Sequence, residues 1–161
     1  MKKLLVLLVA LFSLFMLSGC EKATKSGNYK EGTYQGSVSF ESYGSKYVTT
    51  AVLYVDKNGK IASCYIDSTY TKDGVNTTKK TLGDAYGMKA TSEAKGTIEG
   101  GAEWYEQVSQ IEKKVVEEQG IDWVKWTDNT NTYLDLDVVS GVTITADTYI
   151  EAISKALEQA K

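Results

Sequence analysis

The segments YVTTAVLYV (residues 47–55), DKNG (56–59) and IASCYIDST (61–69) follow one another along the chain, and their order decides the fold. The two outer pieces are dense in Val, Ile, Thr and Tyr, residues that suit a pleated, half-buried surface. Asn58-Gly59 between them supplies the positive φ that a tight hairpin needs. The reading is two antiparallel strands joined by a turn. Residues 32–40 (GTYQGSVSF) alternate in the same β fashion, which extends the prediction to a three-strand antiparallel meander.

Downstream the pattern changes. From Thr71 to about Gly101 the composition is polar and reads as loop. Trp104, Val108, Ile111 and Val115 then recur at offsets of four, seven and eleven, with Glu and Lys between them and Gly120 after them. That spacing predicts an amphipathic helix capped at its C-terminus by glycine. Trp123 and Trp126 follow, then a turn-rich stretch at 127–132 and a short strand-like piece at 133–139. A terminal helix is expected from about Asp147, with Ile150, Ile153 and Leu157 on one face. Thr148 with Glu151 fits a capping box there, and Thr145 is an equally good cap. Strands first and helices later give an α+β domain: an antiparallel β-sheet meander with an amphipathic helix and a C-terminal helix packed on it.

Composition removes several classes of chemistry. The chain has no histidine, which excludes a Ser-His-Asp triad, a His-based zinc site and a His proton relay. Every basic residue is lysine, so no arginine fork grips a phosphate or carboxylate. The net charge of −3 argues against nucleic acid as a partner. The two cysteines, Cys20 and Cys64, fit no cluster pattern for iron–sulfur or structural zinc. Cys64 lies in a β-type run and reads as a small buried hydrophobe. Any redox role must therefore use an organic cofactor.

The N-terminus carries a targeting pattern. Lys2 and Lys3 precede an apolar run at 4–17 that only Ser13 interrupts, too short to span a bilayer comfortably. Residues 1–19 read as a signal peptide. Leu17-Ser18-Gly19-Cys20 resembles the lipobox of bacterial lipoproteins, which implies a diacylglyceryl group on Cys20 and a place at the outer face of the cell membrane. Residues 20–31, rich in Lys, Ser, Gly and Asn, read as the lipidated cysteine and a flexible tether, leaving 32–161 as the functional domain.

The segment richest in chemistry is DVVSGVTIT, residues 137–145. Hydroxyls on a glycine turn at a helix entrance suit a phosphate group, because backbone N–H groups and the helix dipole favour an anion there. The same residue types also serve a plain strand-to-helix turn and cap. The segment resembles the flavin-attachment motif of the FMN-binding domain family, usually Ser/Thr-Gly-Ala-Thr behind an aspartate. That family includes the flavin-bearing C subunit of the sodium-pumping NADH:quinone oxidoreductase and the G subunit of Rnf complexes. The resemblance implies that Thr143 is joined to FMN by a phosphoester bond, made from FAD by an accessory flavin transferase. Ser140 and Gly141 match the motif, and Asp137 matches its leading acid. Val142 stands where alanine is usual, and a larger, β-branched residue beside the acceptor is expected to hinder the transferase. Thr145 is the next hydroxyl along.

A second stretch, KKTLGDAYGMK (79–89) followed by WYEQ (104–107), is similar to flavin-domain lipoproteins of extracellular electron transfer in Gram-positive bacteria, as is the opening GTYQG (32–36). Within it, Leu82, Gly83, Tyr86, Gly87 and Met88 are either a compact surface loop or a flap against the flavin ring, since glycines allow close backbone approach and Met packs softly. Trp104 belongs to the helix's apolar stripe and reads as core. Trp123 and Trp126 lie outside that stripe and are candidates for covering a flavin or a subunit contact. The resemblance implies an electron carrier rather than an enzyme, fed by a membrane quinol-linked donor. The rival expectation is a flavin-free surface lipoprotein that binds a peptide, a glycan or a protein, with residues 140–145 only a turn and a cap.

Overall fold

The computed structural model describes residues 27–161. The expected signal peptide, Cys20 and the tether as far as residue 26 lie outside the described residues. Four strands, β1 (Gly32–Ser42), β2 (Ser45–Val55), β3 (Ile61–Lys72) and β4 (Val75–Thr78), form one antiparallel sheet in the order β1-β2-β3-β4. The Asp56–Gly59 turn forms as its residues dictate. The Asp56 carboxylate accepts the N–H groups of Asn58 at 2.8 Å and Lys60 at 3.0 Å, which holds its pKa below the usual carboxylate range.

Alternation puts Val38, Thr49, Ala51, Leu53, Val55, Ile66 and Ser68 on the inward face, all buried. Two helices cover that face: α3 (Trp104–Glu118) lies on β3, and α4 (Asp147–Gln159) lies on β1 and β2. Their apolar stripes, Trp104-Val108-Ile111-Val115 and Ile150-Ile153-Leu157, are buried as the spacing predicts. The α+β architecture is thus the one expected. Helix α4 approaches β1 through Gly36, where an added Cβ would meet the Ala152 carbonyl, so no other residue fits without moving the helix.

The structure corrects several local expectations. Residues 71–101 are not simply loop. Strand β3 runs to Lys72, and Asp73-Gly74, both at positive φ (51° and 79°), turns the chain into β4. Helix α1 (Lys79–Leu82), a 3-10 turn (Gly83–Tyr86) and helix α2 (Lys89–Ala94) follow. Residues 133–139 form no strand and make only isolated bridges, Trp126 to Leu134 and Tyr133 to Thr145. Neither proposed cap serves α4: Ala146 occupies the cap position, Thr145 is bridged to Tyr133, and Thr148 is instead 3.3 Å from Thr49 hydroxyl to hydroxyl. Helix α3 ends on Gln119, not Gly120, in the left-handed conformation (φ 59°), and its side-chain amide bonds both the N–H and the C=O of Ile61. Residues 27–31, read as the end of a tether, are docked on the domain. Tyr29 N–H donates to the Gly59 carbonyl, Lys30 N–H to the Ala160 carbonyl, and the Tyr29 hydroxyl to the Gln119 carbonyl.

Candidate functional site

The inward rows of the sheet continue past the helices. Thr148, in the first turn of α4, meets Thr49, so Tyr47 and its cross-strand partner Phe40 lie beyond the start of that helix. Their rings are 5.5 Å apart, Tyr47 stacks on Tyr70 at 6.1 Å, and Tyr70 meets Tyr86 edge-on at 5.1 Å. Cross-strand aromatic pairs of this kind add to burial what their quadrupoles gain from tilted or edge-on contact. Below them Trp104 and Tyr149, 1% and 3% exposed, lie edge-on at 5.8 Å, with the indole N–H donating to the Tyr149 hydroxyl at 2.9 Å.

A cleft of about 540 Å³ opens between these rings, α2 and the loop before α4. That volume falls in the roughly 300–1,000 Å³ range of small-molecule sites. Phe40, Tyr86, Met88, Trp104 and Tyr149 give it aromatic and soft apolar walls, while Thr143, Thr145, Lys79 and Ser92 supply polar groups. Burial pushes the Tyr86 phenol up to about 12, so it remains a neutral hydrogen-bonding group.

Thr143 is held from behind by Gln107, which is 1% exposed. The Gln107 carbonyl oxygen accepts the Thr143 N–H at 2.9 Å and its hydroxyl at 3.2 Å. The amide nitrogen donates to the Ala102 carbonyl at 3.2 Å and to Ser92 Oγ at 3.5 Å. One side chain on α3 therefore ties α2, the turn before α3 and the loop before α4 into a single wall. Glu103, also buried, accepts the N–H groups of Met88 and Lys89 at 2.8 and 3.1 Å and so fixes the start of α2. Replacing Gln107 by leucine leaves several of these groups unpaired in the interior. We expect it to lower the unfolding free energy by about 2–4 kcal/mol, read from urea titration with an unchanged slope. A loss under about 0.5 kcal/mol would show that the wall does not depend on this amide.

Of the residues singled out from sequence, Thr143, Thr145, Tyr86 and Met88 come together on this cleft, although the two pairs lie more than fifty positions apart. The other residues read as cofactor-binding do not line it. Ser140 borders a shallower depression with Lys113 and Lys114. Gly141, at φ 75°, supplies the left-handed turn that delivers Thr143 to the wall. Val142 is 2% exposed and packs in the core, so its branched side chain takes up interior space. Asp137 is exposed, with its N–H on Asp135 Oδ1 at 2.9 Å. Leu82, Gly83 and Gly87 are not among its lining residues, and a Cβ at either glycine would meet open space. Positive φ (53° and 82°), not close approach, is what they provide. Trp104 is core, as read, and also lines the cleft. Trp123 and Trp126 pack partly buried against the core away from it.

Lys79 and Gln107 stood in the segments that carried the resemblance but were given no role, and Phe40 and Tyr149 were not singled out. Gln107 alone carried a visible signal, a polar residue three positions after Trp104 on a face that is otherwise apolar. Among the described residues no cluster of three or more acidic or cysteine side chains is placed to hold a metal ion. Comparison with protein-family models, curated proteins and solved structures gives no match to this chain.

Proposed function

We propose that this protein is a lipid-anchored electron carrier that holds FMN in the cleft through a phosphoester on Thr143. The observation that carries the reading is the meeting of Thr143 with Tyr86 and Met88 on one aromatic-walled cleft of about 540 Å³. A phosphate acceptor and a surface for a flat ring are what such a group requires. Isoalloxazine supplies the electron chemistry itself, and the chain has only to bind and orient it. Gln107 accepts the Thr143 hydroxyl hydrogen and so holds that side chain at the cleft wall. Phe40, Tyr86, Met88, Trp104 and Tyr149 offer stacking surface and exclude water from one side. The absence of histidine and arginine is no obstacle, because no side chain has to transfer a proton or clamp a carboxylate. In this reading the donor is a quinol-linked membrane dehydrogenase, and the modifying partner is a flavin transferase.

The test is a denaturing gel of protein produced together with a flavin transferase. The expected result is a band that fluoresces as flavin after boiling, since a phosphoester survives denaturation. A dark band, with the transferase shown active on another substrate, removes covalent FMN and puts the flavin-free binding lipoprotein ahead.

A further inference from the structure

Two adjacent lysines on α1 have opposite fates. Lys80 is fully engaged: its ammonium pairs with the Glu112 carboxylate and lies over the Tyr65 ring at 3.9 Å, and its N–H donates to Asp67 Oδ1 at 3.1 Å. Lys79 has no such partner. Among the described residues no carboxylate lies within salt-bridge distance of its ammonium. It is half-buried in the wall of the cleft, 5.2 Å from the centres of both the Tyr86 and the Trp104 rings. Asp67, the acid that most influences it, is already bonded to the Ser68 and Lys80 N–H groups and the Tyr65 hydroxyl.

We propose that Lys79 is the counter-charge of the cleft, a cation held between two rings to pair with the negative charge that an aromatic ligand carries when reduced. The inference rests on the FMN reading and names the residue that sets the ligand's preferred redox state. Two electrons and one proton taken up by an isoalloxazine leave it with one delocalised negative charge near neutral pH. A protein cation close to the ring's polar edge favours that state over the neutral oxidised one. The two ring faces hold the ammonium without neutralising it, because a quadrupole attracts a cation but cancels no charge. Burial lowers the Lys79 pKa to about 8, which marks an ammonium whose lost hydration is incompletely replaced. An incoming anion supplies that replacement.

The experiment uses the full-length lipoprotein made with a flavin transferase, as wild type, Lys79→Gln, Lys79→Met and Lys79→Arg. Adduct formation is read by mass spectrometry, and the midpoint potential by dithionite titration at pH 7. In Lys79→Gln the adduct is expected to remain, while the preference for the reduced over the oxidised ring falls about tenfold, a shift of about −30 mV for a two-electron couple. Lys79→Arg should restore most of it. Lys79→Met, which keeps an apolar stem against the rings and drops only the charge, gives the same reading should the glutamine variant fold poorly. Equal potentials in wild type and both neutral variants, with the adduct in place, overturn the role of Lys79 and leave the FMN reading standing. No adduct on the wild type overturns that reading, and this inference with it.

Discussion

Cys20→Ser is expected to move the protein from the membrane fraction to the medium or periplasm. Each buried methylene contributes about 0.8 kcal/mol, so a diacylglyceryl group anchors far more firmly than any single side chain can. Among the described residues no helix is long and apolar enough to cross a membrane. Residues 27–30 dock on the β2–β3 turn and on the C-terminal ends of α3 and α4. Only residues 21–26 separate Cys20 from the docked chain, at most about 20 Å of extended backbone. On this reading the anchor holds the domain by the end that carries the β2–β3 turn and the C-terminal ends of α3 and α4, and the cleft opens at the opposite end, beside the start of both helices. Fractionation of cells expressing the wild type and Cys20→Ser checks it. Equal membrane association of the two, with the leader removed in both, would end the lipoprotein assignment.

What the sequence yielded and what it withheld have physical causes. The β1–β3 meander was legible because its alternation is local and Asn58-Gly59 is a strong turn signal. Asp73-Gly74 is an equally good hairpin signal, but its second strand, β4, is only four residues long and carries too little alternation to register. Helices α1 and α2, of four and six residues, complete too few turns for a 3.6-residue period to appear. The 133–139 segment has strand composition without a strand, because its carbonyls and amides are spent on turns: the Asp135 carbonyl accepts both Val138 and Val139 N–H groups. Composition fixes what a strand prefers, whereas a strand needs continuous pairing, and here residues 125–127 and Thr145 supply only isolated bridges.

The site divides in the same way. Thr143, Tyr86 and Met88 stood in recognisable segments, but their convergence depends on how α3 and α4 sit on the sheet, which no local pattern encodes. Lys79 and Lys80 are indistinguishable as letters. Only the tertiary position of Glu112, on the face of α3 turned to the β3 edge, neutralises one and not the other. Val142 and Thr143 divide likewise. Adjacent in sequence, they lie apart in space: Val142 is buried in the core while Thr143 lines the cleft.

That separation sets up the most exposed claim, that Thr143→Ala abolishes the flavin adduct. Only a hydroxyl can form the phosphoester, so the expected result is complete loss of one FMN less water from the protein's mass. The fold should survive. Gln107 keeps its bond to the backbone N–H at position 143, and the loss of one partly exposed hydroxyl contact costs about 1 kcal/mol. Thr143→Ser, which keeps the oxygen, should retain attachment. Thr145→Ala and Ser140→Ala serve as internal controls: the first residue lines the same cleft, the second borders a different depression, and neither hydroxyl is bonded to Gln107. Both variants should carry the adduct. Val142→Ala separates two explanations should attachment be poor even in the wild type. With Val142 in the core, truncation opens a cavity and costs about 2 kcal/mol of stability without improving attachment. An increase in adduct would show instead that the branched side chain reaches the transferase after all. Retention of the adduct by Thr143→Ala would move the acceptor elsewhere. A wild type that stays unmodified beside an active transferase would leave Thr143 as a turn residue and the cleft as a binding site for some other ligand.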